Sequence, residues 1–247
     1  MFYGIFPNGA EDHAFLNSAI ARFRKMFSAV FADDNVILFN RSLGFRRDTK
    51  FMQALQTNAK TNQERSLVLR LNTMIWAVNQ ALGIEGDFVE CGVYRGFCAG
   101  VATDYLDFAK LPRTFYLYDT FEGIPAEFDS ESHDHPVLRA AGLYESVVTR
   151  FAKYPNVRIV KGIVPYSFET AAPEKIAFLH IDMNSSKSEI AALDALFDRV
   201  SPGGVILFDD YGWVGYTAQQ VAEDAWMKER GQVILELPTG QGLVVKR

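Results

Sequence analysis

Three groups of residues in this 247-residue chain have the types and spacing to do chemistry. The first is Glu90-x-Gly92-x-x-x-Gly96, which follows a short apolar run and precedes a helical pattern. Glycines in a strand-to-helix turn let a ligand approach the backbone, and the helix N-terminus adds N–H groups and a positive dipole end. An acid directly before the first glycine suits a ligand with a cationic amine, such as the methionine part of S-adenosylmethionine. An ordinary glycine-rich turn is the alternative. The spacing is not the G-x-G-x-x-G of a dinucleotide site. The second group is Asp119, 23 residues past Gly96 and at the end of the strand-like TFYLYD. In nucleotide-binding α/β folds an acid about 20 residues beyond the glycine turn accepts hydrogen bonds from ribose hydroxyls and disfavours a 2′-phosphate.

The third group is Asp182, Asp209 and Asp210, which close the apolar runs IAFLHID and VILFDD. Adjacent parallel strands lie ~4.8 Å apart, so neighbouring strands would bring three carboxylates together. Uncompensated, they would repel. Oxygen donors without imidazole or thiolate favour a hard cation such as Mg²⁺ or Ca²⁺ over zinc, and Asn184 adds an amide oxygen. The alternative is that Asp209 or Asp210 caps the following turn. His180, two residues before Asp182, shares its face and is expected to be a core histidine.

The elements that must position these residues alternate between strand and helix. Strands are expected over residues 87–90, 114–119, 157–160, 176–182 and 205–210. Helices are expected between them, with Ser186 and Glu189 forming a capping box, and a hairpin over 233–246 closes the chain. Lys161 and Gly162 follow the third strand, where an adenine edge would lie. Residues 122–143 show no periodicity and read as a lid or a disordered loop; there His133, Asp134 and His135 are a weak zinc candidate against a solvated loop. Before residue 61, positions 12–31 carry Phe15, Phe23, Phe27 and Phe31 at helical spacing. That helix either packs on its own domain or forms a dimer contact or substrate cover. Arg41, Arg46 and Arg47 beside Phe45 form a basic cluster, by default a solvated face. Thr61 and Glu64 form a capping box for a helix carrying Leu67, Leu71, Met74, Val78 and Leu82. The expected architecture is α/β, doubly wound, with a mostly parallel seven-stranded sheet: a helical extension over 1–60 and a ligand-binding domain over 61–247.

A hydrophobic fraction of 49% supplies a large core, and a net charge of −5 argues against nucleic acid as a partner. Cys91 and Cys98 match no zinc spacing and are expected as reduced thiols of a cytoplasmic protein. The first residues lack a signal-peptide pattern, and no run approaches the ~18 apolar residues of a membrane span.

The segments FVECGVYRG (88–96), YLYDTFEGIP (116–125), LHIDMN (179–184) and PGGVILFDDYGWVGYTAQQV (202–221) resemble the macrocin O-methyltransferase family of class I S-adenosylmethionine-dependent enzymes. The resemblance covers about residues 60–230. It implies methylation of a small-molecule hydroxyl, on a sugar or phenol, by Mg²⁺- or Mn²⁺-dependent enzymes, several of them homodimers. It places cofactor contacts at Glu90, Gly92, Gly96, Asp119 and Thr120, beside which Val93, Tyr94, Gly162 and Asp182 are further expected contacts, and metal ligands at Asp182, Asp209 and Asp210. Asp182 is also the expected catalytic acceptor of the hydroxyl proton. Asn184 departs from the family, which commonly has a second aspartate there. A non-catalytic or metal-independent homologue is one alternative. A nicotinamide-dependent oxidoreductase is another; it would need a third glycine and a Tyr/Lys pair.

Overall fold

The computed structural model describes residues 10–247. Its first helix, α1 (Ala10–Met26), stops short of the expected 12–31 span because the chain turns into a hairpin, β1 (Val30–Asp33) and β2 (Val36–Phe39). Strand-forming Val, Phe and Ile bracket Asp34 and Asn35, whose φ of 54° and 53° give the left-handed two-residue turn that tight hairpins favour. Phe23 and Phe27 pack onto Phe39, with ring centroids 5.3 and 4.4 Å apart. Next come α2 (Thr49–Asn58), started by the Asp48 side chain, and the short α3 (Asn62–Ser66), which carries the capping box read from Thr61 and Glu64. The helical stretch expected after it begins anew as α4 (Val68–Ala81).

The strand–helix alternation then runs β3 (Asp87–Cys91), α5 (Phe97–Leu106), β4 (Phe115–Asp119), α6 (Leu143–Phe151), β5 (Val157–Lys161), β6 (Ile176–Ile181), α7 (Ser186–Leu196), β7 (Val200–Phe208), α8 (Thr217–Glu229), β8 (Leu235–Glu236) and β9 (Gly242–Val245). The seven-stranded sheet has the order β5-β4-β3-β6-β7-β9-β8, parallel through β7 and antiparallel at β9 and β8. Helices cover both faces, the doubly wound arrangement. Alternate strand residues feed two cores. Phe88, Leu117 and Phe178 join α2, α4, α5 and α6, while Val89, Leu179 and Ile206 join α7 and α8. Phe31, Phe51 and Leu55, all before residue 61, belong to the first core. Among the described residues no helix is long and apolar enough to cross a membrane.

The register matters for chemistry. Cys91 pairs with Ile181 and Ile181 with Phe208, so the next residues, Gly92, Asp182 and Asp209, emerge together at the carboxyl edge, where open α/β sheets bind ligands.

Candidate active site

The β3–β4 half of this edge is built mainly from backbone. Gly92 has φ 91°, and a Cβ there would lie 1.7 Å from the Asp182 carbonyl oxygen, so only glycine lets the β3 turn lie against the loop after β6. Gly96 has φ 68° and opens α5 without a side-chain cap, which leaves first-turn N–H groups for a ligand. The Val93 and Tyr94 amides donate to Asp119 Oδ2 at 2.8 and 2.7 Å, and the Phe121 amide donates to Oδ1. Burial pushes the Asp119 carboxyl up despite those three bonds. Asp119 therefore buckles the glycine turn to the end of β4. Thr120 Oγ1 donates to the Gly123 carbonyl at 2.6 Å, and the Gly162 amide donates to the Asp119 carbonyl at 2.9 Å.

Glu90 is not open at the edge. It is buried, with Oε1 2.9 Å from His180 Nδ1, while Oε2 has no hydrogen-bond partner. Burial works against a charged imidazole at His180, but Asp209 and Glu90 outweigh it and hold the pKa up to about 10. His180 is thus a core histidine, as expected, and it is charged and shared between two acids.

The acid half is built from side chains. Asp182, Asp209 and Asp210 converge closely enough to perturb one another. Among the described residues no group of three or more acidic, histidine or cysteine side chains is arranged to hold a metal ion. A guanidinium occupies the cluster: Arg70 of α4, 3% exposed, is paired with Asp209 and lies 3.7 Å from Asp210 Oδ1. The Asp34 carboxylate, from the β1–β2 turn, accepts the Arg70 backbone amide at 2.7 Å and lies 3.5 Å from Nε. Trp213 covers the guanidinium, its ring centroid 5.4 Å from Cζ. On the other side Gln241, from the β8–β9 loop, donates to Asp209 Oδ1 at 3.0 Å and accepts from Thr239 Oγ1 at 3.0 Å. Burial opposes the Asp209 charge, but Arg70, His180 and Gln241 hold its carboxyl well below the usual range. At Asp182 and Asp210 the same cations, Arg70 and His180, lie in weaker contact and do not offset burial. Burial, then the neighbouring aspartates, pushes Asp182 well up, and burial plus Asp209 raises Asp210 to about 7.

The long loop after β4 closes over this half. Ser185 Oγ donates to the Phe128 carbonyl and Ser186 Oγ to Glu131. His133 Nδ1 lies 3.1 Å from the Asn184 carbonyl, and its ring packs 4.5 Å from that of Tyr216. His135 instead caps the turn at Val137, so the two histidines do not face one site. Asp34, Arg70, Thr239 and Gln241 escaped sequence reasoning. Signals for three of them exist. Asp34-Asn35 sits between two apolar runs, and Arg70 lies four residues before Met74 on the apolar face of α4. Gln241 stands between two glycines in a polar turn.

A family model for macrocin O-methyltransferase (TylF) matches residues 33–232, most of the chain, including Arg70, Glu90, Asp119, Asp182, Asp209 and Asp210 but not Thr239 and Gln241. The chain belongs to the macrocin O-methyltransferase family. Within the family it is 32% identical over 161 residues to mycinamicin III 3″-O-methyltransferase of Micromonospora griseorubida, covering 58% of this chain and 62% of that protein. It is 31% identical over 160 residues to an 8-demethyl-8-(2,3-dimethoxy-α-L-rhamnosyl)-tetracenomycin-C 4′-O-methyltransferase of Streptomyces olivaceus, covering 58% and 60%. The chain thus spans about three fifths of the length of these relatives. The O-methyltransferase NovP shares the fold, with a TM-score of 0.64 at 23% identity over 72% of this chain and 80% of that one. So does the calicheamicin methyltransferase CalS11, with a TM-score of 0.64 at 17% identity over 97% and 94%.

Proposed function

We propose that this chain is an S-adenosylmethionine-dependent O-methyltransferase acting on a hydroxyl of a sugar or a glycosylated natural product. The observation that carries the reading is the contact between Gly92 and the Asp182 carbonyl, which sets a backbone-lined ligand turn directly beside two high-pKa carboxyl groups. The family supports the reaction type, and the printed activities of the relatives support a sugar-borne hydroxyl.

The residues fit the cofactor. The uncapped first turn of α5 suits its carboxylate, and the unpaired Glu90 Oε2 offers an acceptor to its amine. Asp119, fixed by three amides, has lone pairs remaining for ribose hydroxyls. When bound, S-adenosylmethionine supplies an electrophilic methyl on a sulfonium. Beside the glycine turn, Asp182 would hold the acceptor hydroxyl and take its proton. Most of the acceleration comes from alignment, which the docked 122–142 loop assists by excluding water.

No group of three ligands is arranged for a metal among the described residues, but the chemistry of two carboxylates would suit a divalent cation. Five buried or half-buried carboxyl groups, Asp34, Glu90, Asp182, Asp209 and Asp210, face Arg70 and His180 as their cations among the described residues. Mg²⁺ uses one or two protein carboxylates and keeps several waters. Asp182 and Asp210 would hold it; Asp209, committed to Arg70 and Gln241, would support them from behind. Such an ion would favour the deprotonated form of a bound hydroxyl. A homodimer through the α1 face, where Phe15 is 76% exposed, belongs to the same reading.

The test is a methyl-transfer assay against a panel of sugars and glycosides, read by mass spectrometry, with calorimetry for S-adenosylmethionine. Methylated product with cofactor binding is expected. Cofactor that does not bind would overturn the reading.

A further inference from the structure

Helices α7 and α8 bury a pair of carboxyl groups that the proposed chemistry does not use. Glu189 is 2% exposed and Glu223 1%. Gln219, four residues before Glu223 and on the same side of α8, donates from Nε2 to Glu189 Oε1 at 2.6 Å. The Met183 backbone amide donates to that same oxygen at 3.0 Å. Among the described residues Glu189 Oε2 and both oxygens of Glu223 have no donor, although α7 packs on α8 and Gln219 ties Glu189 to the side of α8 that carries Glu223.

Two carboxylates cannot both stay ionised in such a place. Burial without a donor penalises each charge, and their mutual repulsion adds to it. The other charged groups that face the pair, Asp210 after β7 and Asp224 on α8, are acidic too. Asp224 is itself bonded to the Tyr211 hydroxyl at 2.7 Å. A single proton resolves the arrangement, because a protonated carboxyl becomes a donor. Glu189 already accepts two bonds through Oε1 and is the better anion, so the proton belongs on Glu223. Burial, followed by the Glu189 charge and the bond to it, raises the Glu223 carboxyl well above its usual range.

We propose that Glu223 is a neutral carboxylic acid that donates to Glu189, and that this shared proton fixes the Asp182–Asn184 loop through the Met183 amide. Glu189 and Glu223 are then positioning residues for the acceptor half. Their effect on turnover rests on the methyltransferase reading, but the shared proton does not. A carboxyl protonated in the fold and ionised in the unfolded chain makes stability fall as pH rises. That loss begins near ~4.3, the ordinary glutamate value, and continues up to the raised folded value.

Glu223→Gln keeps the shape and a donor but cannot ionise. Its unfolding midpoint should match the parent near about pH 5 and exceed it increasingly toward about pH 8. Infrared spectra of the parent at neutral pH should show carbonyl absorption of protonated carboxyls, and Glu223→Gln should lose the part due to Glu223 while any part due to Asp182 and Asp210 remains. Glu189→Ala should lower kcat at least about tenfold with cofactor affinity unchanged, while Glu223→Gln stays within about twofold. Parallel pH–stability curves together with an unchanged infrared band would overturn the proposal. So would a divalent cation that stabilises the parent but not Glu223→Gln in the presence of saturating cofactor, since a metal would then stand where the proton is placed. The stability and infrared readouts need no methyl acceptor. If they hold while no panel compound is methylated, the functional reading fails and the shared proton stands.

Discussion

The two halves of the carboxyl edge solve the same problem, holding acids where a ligand must fit, by opposite means. At β3–β4, the Asp119 carboxylate is surrounded by amides of the chain itself, and among the described residues the sequence between 92 and 121 supplies its partners. At β6–β7, Asp209 depends on Arg70, 139 residues away, and on Gln241, 32 residues away, with Asp34 holding Arg70 from the N-terminal hairpin. A backbone-built site tolerates change in distant parts of the chain. A side-chain-built site fails when any one contributor leaves, because a buried charge without its partner costs more than the pair contributes. The cofactor half should therefore behave as a local unit and the acid half as a collective one.

The hardest test of that contrast is Arg70→Met. It removes the guanidinium that faces Asp34, Asp209 and Asp210, and should cost about 3–5 kcal/mol of folding stability, measured by urea unfolding at neutral pH. A loss under about 1 kcal/mol would show that the acids carry their own compensation. Asp182→Asn should come next, lowering turnover by about 10²–10³-fold at saturating substrate while calorimetry shows the same cofactor affinity. Cofactor affinity falling in step with turnover would merge the two halves into one site. Asp119→Ala should act in the opposite sense, weakening S-adenosylmethionine by about 1–3 kcal/mol as the Val93 and Tyr94 amides lose their acceptor. Its kcat at saturating cofactor should hardly move. The smallest effect is expected for Asp34→Asn, which keeps the turn but drops a charge facing Arg70. A loss of about 1 kcal/mol in stability, with cofactor binding intact, would sharpen the distinction.

What the amino-acid order revealed follows the same division. Four of the five parallel strands are legible as apolar runs closing on an acid, β5 with Arg158 and Lys161 being the exception, and the helices between them because their apolar positions repeat at helical spacing. The carboxyl-edge cluster was legible because neighbouring strands must place Asp182 and Asp209 together. The helical spacing expected over 12–31 runs two residues into the hairpin, since Val30 and Phe31 continue the spacing of Phe23 and Phe27 although β1 starts at Val30. Arg70 was passed over because a single cation on an apolar helical face carries no periodic signal. Nothing in local sequence tells Gln241 that it meets Asp209: that pairing exists only once β9 lies against β7. Long-range polar contacts are set by topology, and topology is the last thing periodicity reports.

The β1–β2 ribbon has a consequence for the motions of the molecule. Two strands alone are marginal in water, so this ribbon persists through Phe31 and Ala32 in the core and through the grip of Asp34 on Arg70. Those few anchors make it a candidate for opening on its own, below the energy of global unfolding. A molecule with the ribbon lifted would keep its glycine turn and its buckled Asp119, and so still capture cofactor. It would leave Arg70 leaning on Asp209 and Asp210 alone. Amide hydrogens over residues 30–39 would then exchange faster than those of β3 and β6, in a population that is loaded with cofactor yet idle.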